Sequence, residues 1–133
     1  YDDMSTLRVD RIAHITVLSE RRKPLREIKG YHQQRTFNVS QYVKEHIYMF
    51  GGESVTVSFK AKRSIVNQIL DWFDGNVEFT NVTSDDVVCR VRVNHDAFKY
   101  WALQYMQSVK VLSPASLVAE VKEAIKEGLE QYS

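Results

Sequence analysis

Six basic side chains carry whatever binding chemistry this sequence offers. Val55, Val57 and Phe59 alternate with polar residues, as do Val87, Val91 and Val93. A period of two turns Lys60, Arg90, Arg92 and Lys110 to the opposite side of those strands, away from the apolar residues. Glu78 shares that side and offsets part of the charge. Such a face could hold an anionic ligand, particularly one bearing phosphate. It could equally be solvated or covered in a dimer, with cross-strand arginine–glutamate pairs. Arg8 and Arg11 stand in another alternating stretch, where Arg11 falls among the apolar positions. A guanidinium there needs a partner, and its fork suits either a phosphate or a carboxylate such as Asp10.

Catalysis finds no such foothold. His14, His32, His46 and His95 are scattered, and none stands at ligand spacing from another histidine, a cysteine or a carboxylate, so no metal site or cofactor is expected. Cys89 alternates with Val87, Val91 and Val93 and reads as a small buried hydrophobe. No glycine-rich phosphate loop is present, Gly51-Gly52 being too short. Asp85-Asp86 belongs to a hairpin link, where carboxylates shape turns. Tyr100, Trp101 and Tyr105 recur at helical spacing, the pattern of packing rather than of a stacking platform. The chain is expected not to be an enzyme.

The elements that must position these residues follow from periodicity. Residues 6–18 alternate as a strand, with Arg11 and Ile12 out of phase. A polar loop punctuated by Pro24 and Gly30 follows. Asn38 caps a short helix, with Gln41 at the reciprocal position and Phe37 and Tyr42 at the staple positions; it ends before Gly51-Gly52. From Glu53 the order is a strand through Phe59, a helix bearing Ile65, Val66, Ile69, Leu70 and Phe73, and strands over 77–82 and 87–93 joined by Thr83-Ser84-Asp85-Asp86. Then come a helix capped by Asn94, a short strand with Val109 and Val111, and a last helix opened by Ser113-Pro114. This βαββαβ order predicts an α+β, ferredoxin-like sandwich with a C-terminal helix, since right-handed crossovers leave few alternatives.

Composition agrees with that size of fold. The 133 residues are 44% apolar and 26% charged, enough to bury a core without disulfide or metal. With 18 basic against 17 acidic side chains, bulk electrostatic binding of duplex DNA is not expected. Arg21, Arg22, Lys23, Arg26 and Lys29 cluster, and Glu120, Glu123, Glu127 and Glu130 make the last helix acidic; both suit solvated surfaces. The lone cysteine fits a reducing cytoplasm, and no apolar run approaches a membrane span. The opening Tyr1-Asp2-Asp3-Met4 is expected to be the interior of a longer protein.

Two stretches extend the reading. Thr6-Leu7-Arg8-Val9-Asp10-Arg11-Ile12 resembles the end of a WYL domain, a small Sm-like β-barrel. Trp101-Ala102-Leu103-Gln104-Tyr105 and Val111-Leu112-Ser113-Pro114-Ala115-Ser116-Leu117 resemble the closing helix, strand and helix of its C-terminal extension, the WCX domain. Phe37 to Tyr42 and Gly51-Gly52 leading into Val55-Thr56-Val57-Ser58-Phe59 are similar to the linker between them. The resemblance implies the strand and loop of a truncated WYL barrel over 1–30, a linker over 31–52 and a WCX domain over 53–133. The Trp-Tyr-Leu tripeptide itself is missing, Met106-Gln107 lacks a glycine common in the family, and no helix-turn-helix is present.

Such proteins are bacterial transcriptional regulators, commonly dimers, whose separate DNA-binding domain responds to a ligand suspected to be single-stranded nucleic acid or a nucleotide. The resemblance implies ligand contacts for Arg8 and Arg11; those of Lys60, Arg90 and Arg92 rest on the sheet-face argument. Operator DNA would be met only through a domain absent from this sequence. A dimerisation module without ligand, or a small-molecule regulatory domain, are the alternatives.

Overall fold

The computed structural model describes residues 7–24 and 38–133. Four strands, β1 (Ser54–Lys62), β2 (Val77–Val82), β3 (Asp86–Asn94) and β4 (Val109–Ser113), form one antiparallel sheet in the order β2-β3-β1-β4. Four helices, α1 (Val39–Glu45), α2 (Val66–Phe73), α3 (His95–Gln104) and α4 (Ala115–Glu130), complete an α+β fold consistent with a ferredoxin-like sandwich.

The two central strands are nine residues each, and their alternation builds the core. Val57, Phe59 and Ala61 stand opposite Val91, Cys89 and Val87 in register, and all six are buried. Ile69 and Phe73 of α2, and Ala97, Phe98, Trp101 and Ala102 of α3, close over them. The Trp101 ring lies 4.8 Å from Phe73 and 5.4 Å from both Phe59 and Phe98, so one side chain joins both helices to the sheet. The last helix adds Leu117 and Val121 and packs on α3 and β4. Pro114 stands just before that helix rather than in its first turn.

Asn94 ties the start of this domain to its core. Its Oδ1 accepts from the Ala97 N–H at 3.0 Å, capping α3 as its sequence position predicts. Its Nδ2 donates to the Gly51 carbonyl at 3.0 Å. Gly52 beside it adopts φ 107°, a conformation that side-chain-bearing residues rarely take. Asn94→Ala removes both the cap and the donor from a buried site. Stability should fall by about 2 kcal/mol, read as a lowered urea midpoint at unchanged m-value.

Two expectations are corrected here. Residues 7–18 do not form the strand that their alternation predicts; Val9–Arg11 make one 3-10 turn and the rest is irregular. No described strand pairs with this stretch, and Leu7 and Val17 remain 84% and 93% exposed. Alternation supplies a strand's side-chain pattern, but its backbone groups still need a neighbouring strand. No Sm-like barrel strand is therefore seen among the described residues. Gln41 does not close a reciprocal cap either: its Nε2 donates to Glu45 Oε1 at 2.7 Å, one turn further on, while Asn38 Oδ1 accepts from the Gln41 N–H as expected. Thr6, Arg26, Lys29, Gly30, His32 and Phe37 lie outside the described residues.

Candidate ligand face

Helices cover one side of the sheet, and the polar residues of the strands line the other. Arg92 stands opposite Thr56, and Arg90 lies between Ser58 on β1 and Glu78 on β2. Lys60 faces Lys110 directly across the β1–β4 pair, a like-charge juxtaposition that costs stability unless an anion relieves it. Asp86 supplies part of that relief, its Oδ2 lying 3.2 Å from Lys60 Nζ. The sheet thus brings Lys60, Arg90, Arg92 and Lys110 onto one face, as their spacing predicts.

Their surroundings differ. Arg90 and Lys110 have no ion pair among the described residues, although Arg90 and Glu78 are register partners. Arg92 Nε lies 3.5 Å from Glu45 Oε1 at the end of α1, and Asn76 Nδ2 donates to the Arg92 carbonyl at 2.6 Å. A concavity of about 310 Å³ opens between β1, β2 and β3, lined by Thr56, Asn76, Glu78, Arg90, Val91 and Arg92. Arginines two residues apart on one strand have Cα atoms about 7 Å apart and side chains on the same face. Flanked by a hydroxyl and an amide, they offer bidentate donors to phosphate or carboxylate oxygens.

Arg8 and Arg11 sit elsewhere in the chain's bonding. Arg8 donates from Nε to Asp10 Oδ1 at 2.9 Å, and its Nη2 contacts the other carboxylate oxygen. The hydrogen bond from Arg8 holds the Asp10 carboxyl below its usual range. No hydrogen bond or ion pair among the described residues joins Arg8 or Arg11 to the sheet. Arg8 thus has the carboxylate partner that Asp10 offers two residues away.

Glu45 and Asn76 escaped the sequence reading. Strand periodicity reports which residues share a face; it does not report that a helix end crosses that face. His95 is also not isolated, contrary to expectation. Its Nε2 lies 3.0 Å from Glu120 Oε1, and potential ligand atoms of His95, Asp96 and Glu120 fall within 4.8 Å of one another. Packing of α3 on α4 makes this cluster, and spacing along the chain could not reveal it. Lys99 Nζ lies 3.6 Å from the other Glu120 oxygen, so the group functions as an ion-paired helix contact. The hydrogen bond from His95 holds the Glu120 carboxyl low, with Lys99 adding to the effect. Cys89 is buried as expected; burial pushes its thiol up to about 11, which leaves almost no reactive thiolate at neutral pH.

A four-stranded antiparallel sheet packed against helices, with polar strand residues gathered on its open face, is consistent with a non-catalytic accessory role. The WCX domain family model matches residues 51–129, more than half of the chain, and the chain belongs to that family. WCX domains are regulatory and not catalytic. Comparison with curated proteins gives no match. No helix among the described residues is long and apolar enough to cross a membrane.

Proposed function

We propose that this chain is the ligand-sensing and oligomerisation region of a bacterial, cytoplasmic transcriptional regulator. Residues 1–30 are the end of a WYL domain, 31–52 the linker and 53–133 the WCX domain. An anionic effector, a single-stranded nucleic acid or nucleotide, binds Lys60, Arg90 and Arg92 and thereby controls a separate helix-turn-helix domain. Arg8 and Arg11 join the site on family resemblance alone. The observation that carries this reading is the open face itself: basic side chains gathered around a polar concavity, with Arg90 unpaired among the described residues. To act as a signal, the effector must bind one arrangement of the paired domains more tightly than another.

A second reading, a homodimerisation module with no ligand, draws on the same face. Lys60 already meets Asp86 and Arg92 meets Glu45, so two of the three cations have protein partners. Titration of a short fluorescein-labelled oligothymidylate into the chain separates the two. The sensing reading expects saturable binding that weakens with salt, with a log–log slope near about −2 for three phosphate contacts on a single strand. Absence of binding at low salt sinks it. Sedimentation that finds only monomer at high protein concentration would count against the dimer.

A further inference from the structure

The carboxylate that meets Arg92 comes from the linker, not from the sheet. Glu45 is the last residue of α1, and its Oε1 both accepts from Gln41 Nε2 at 2.7 Å and lies 3.5 Å from Arg92 Nε. Its side chain is only 14% exposed, whereas that of Arg92 is 57% exposed. It is the one ion pair among the described residues that joins α1 to the sheet. The chain beyond it is held separately: one ring nitrogen of buried His46 lies 3.1 Å from the Gly52 carbonyl, and Tyr48 Oη donates to Gln104 Oε1 at 2.6 Å. Tyr48 adopts φ 62°, a left-handed conformation that a bulky residue takes only when its surroundings impose it. Among the described residues, α1 is held at its end by His46, whose ring stacks on Tyr42 at 3.9 Å, and meets the sheet's cations only through the exposed Arg92.

We infer that Glu45 is an internal occupant of the ligand face, and that an anionic ligand on Arg90 and Arg92 displaces it and releases α1. This rests on the anion-binding reading above and supplies its regulation. Glu45 and a bound phosphate would bring like charges to one guanidinium, so each weakens the other's hold. Linkage makes the effect reciprocal: what loosens Glu45 tightens the ligand, and the ligand loosens Glu45. Because the tethers at His46 and Tyr48 remain, α1 swings from a fixed point. The change at the sheet then reaches whatever precedes α1 in the protein. The ion pair is partly exposed and weak, as a reversible latch requires.

The test uses the labelled oligothymidylate with the wild-type chain, Glu45→Gln and Glu78→Gln. Glutamine at 45 keeps an acceptor for Gln41 but no charge; Glu78→Gln removes a charge from the same concavity without touching the linker. Glu45→Gln should bind about two- to fivefold more tightly than wild type, the range of one exposed charge contact. Tryptic cleavage after the exposed Lys44, and amide exchange of α1, should accelerate when the probe saturates the wild-type chain. In Glu45→Gln both should be fast from the start; in Glu78→Gln both should stay slow until the probe is added. Probe binding with unchanged cleavage and exchange in α1 overturns the release while leaving the ligand face intact. No probe binding by any of the three overturns the face, and the release with it.

Discussion

Trp101→Ala is expected to destabilise the domain by about 3–5 kcal/mol, the range for truncating a fully buried aromatic side chain. Trp101 is wholly inaccessible, and Phe59, Phe73, Phe98 and Tyr105 surround it with ring centroids 4.8–5.4 Å away. A buried tryptophan removes on the order of 200 Å² from water, worth an upper bound of ~5 kcal/mol. The cavity left by alanine would lie between α2, α3 and the central strands, where three elements would each have to move to fill it. Urea unfolding followed by circular dichroism measures the loss. Trp101→Phe should cost much less, about 1–2 kcal/mol, because the smaller ring keeps most contacts and the indole Nε1, which has no hydrogen-bond partner among the described residues, disappears. A loss below about 1 kcal/mol for the alanine variant would show that this residue does not join the helices to the sheet.

The same residue illustrates what the sequence can disclose. Phe98, Trp101 and Ala102 share a helical face by spacing alone, and Val57, Phe59, Cys89 and Val91 share a strand face. Their burial in one core follows because each element has only one apolar side. Strand order was legible for a related reason: handed crossovers and a tight Thr83–Asp86 link restrict how four strands can be joined. The stretch before Pro24 was misleading because, apart from Arg11 and Ile12, it alternates as a strand does, yet alternation does not create a neighbour to accept its backbone bonds. The candidate face was half legible. Lys60, Arg90 and Arg92 were placed by period two; Glu45 reaches Arg92 from a helix of seven residues, whose position over the sheet depends on His46, Gly52 and Asn94 and on no local pattern. The meeting of His95 with Glu120 was hidden likewise, since 25 residues and a strand separate them.

Replacing Arg90 and Arg92 together by glutamine should weaken oligothymidylate binding about a hundredfold, or ~2.8 kcal/mol, at low salt. Each arginine supplies charge-assisted hydrogen bonds worth about 1.5–3 kcal/mol to an anion, and neither is buried, so the fold should lose little. The salt dependence should fall with the affinity, the log–log slope becoming shallower by about 1.4 as two phosphate contacts vanish. Lys60→Gln should do less, since Asp86 at 3.2 Å already shares that charge. Arg90→Gln alone should cost more than Lys60→Gln, because among the described residues Arg90 has no ion pair to give up to the ligand. Fluorescence anisotropy at two salt concentrations, with unfolding curves as a check on the fold, tests all four proteins together. Equal binding by the double variant and the wild-type chain would remove the sheet face from recognition. Lys60 and Arg92 would then be what their partners Asp86 and Glu45 make them, fixtures of the fold, and the dimerisation reading would stand in place of sensing.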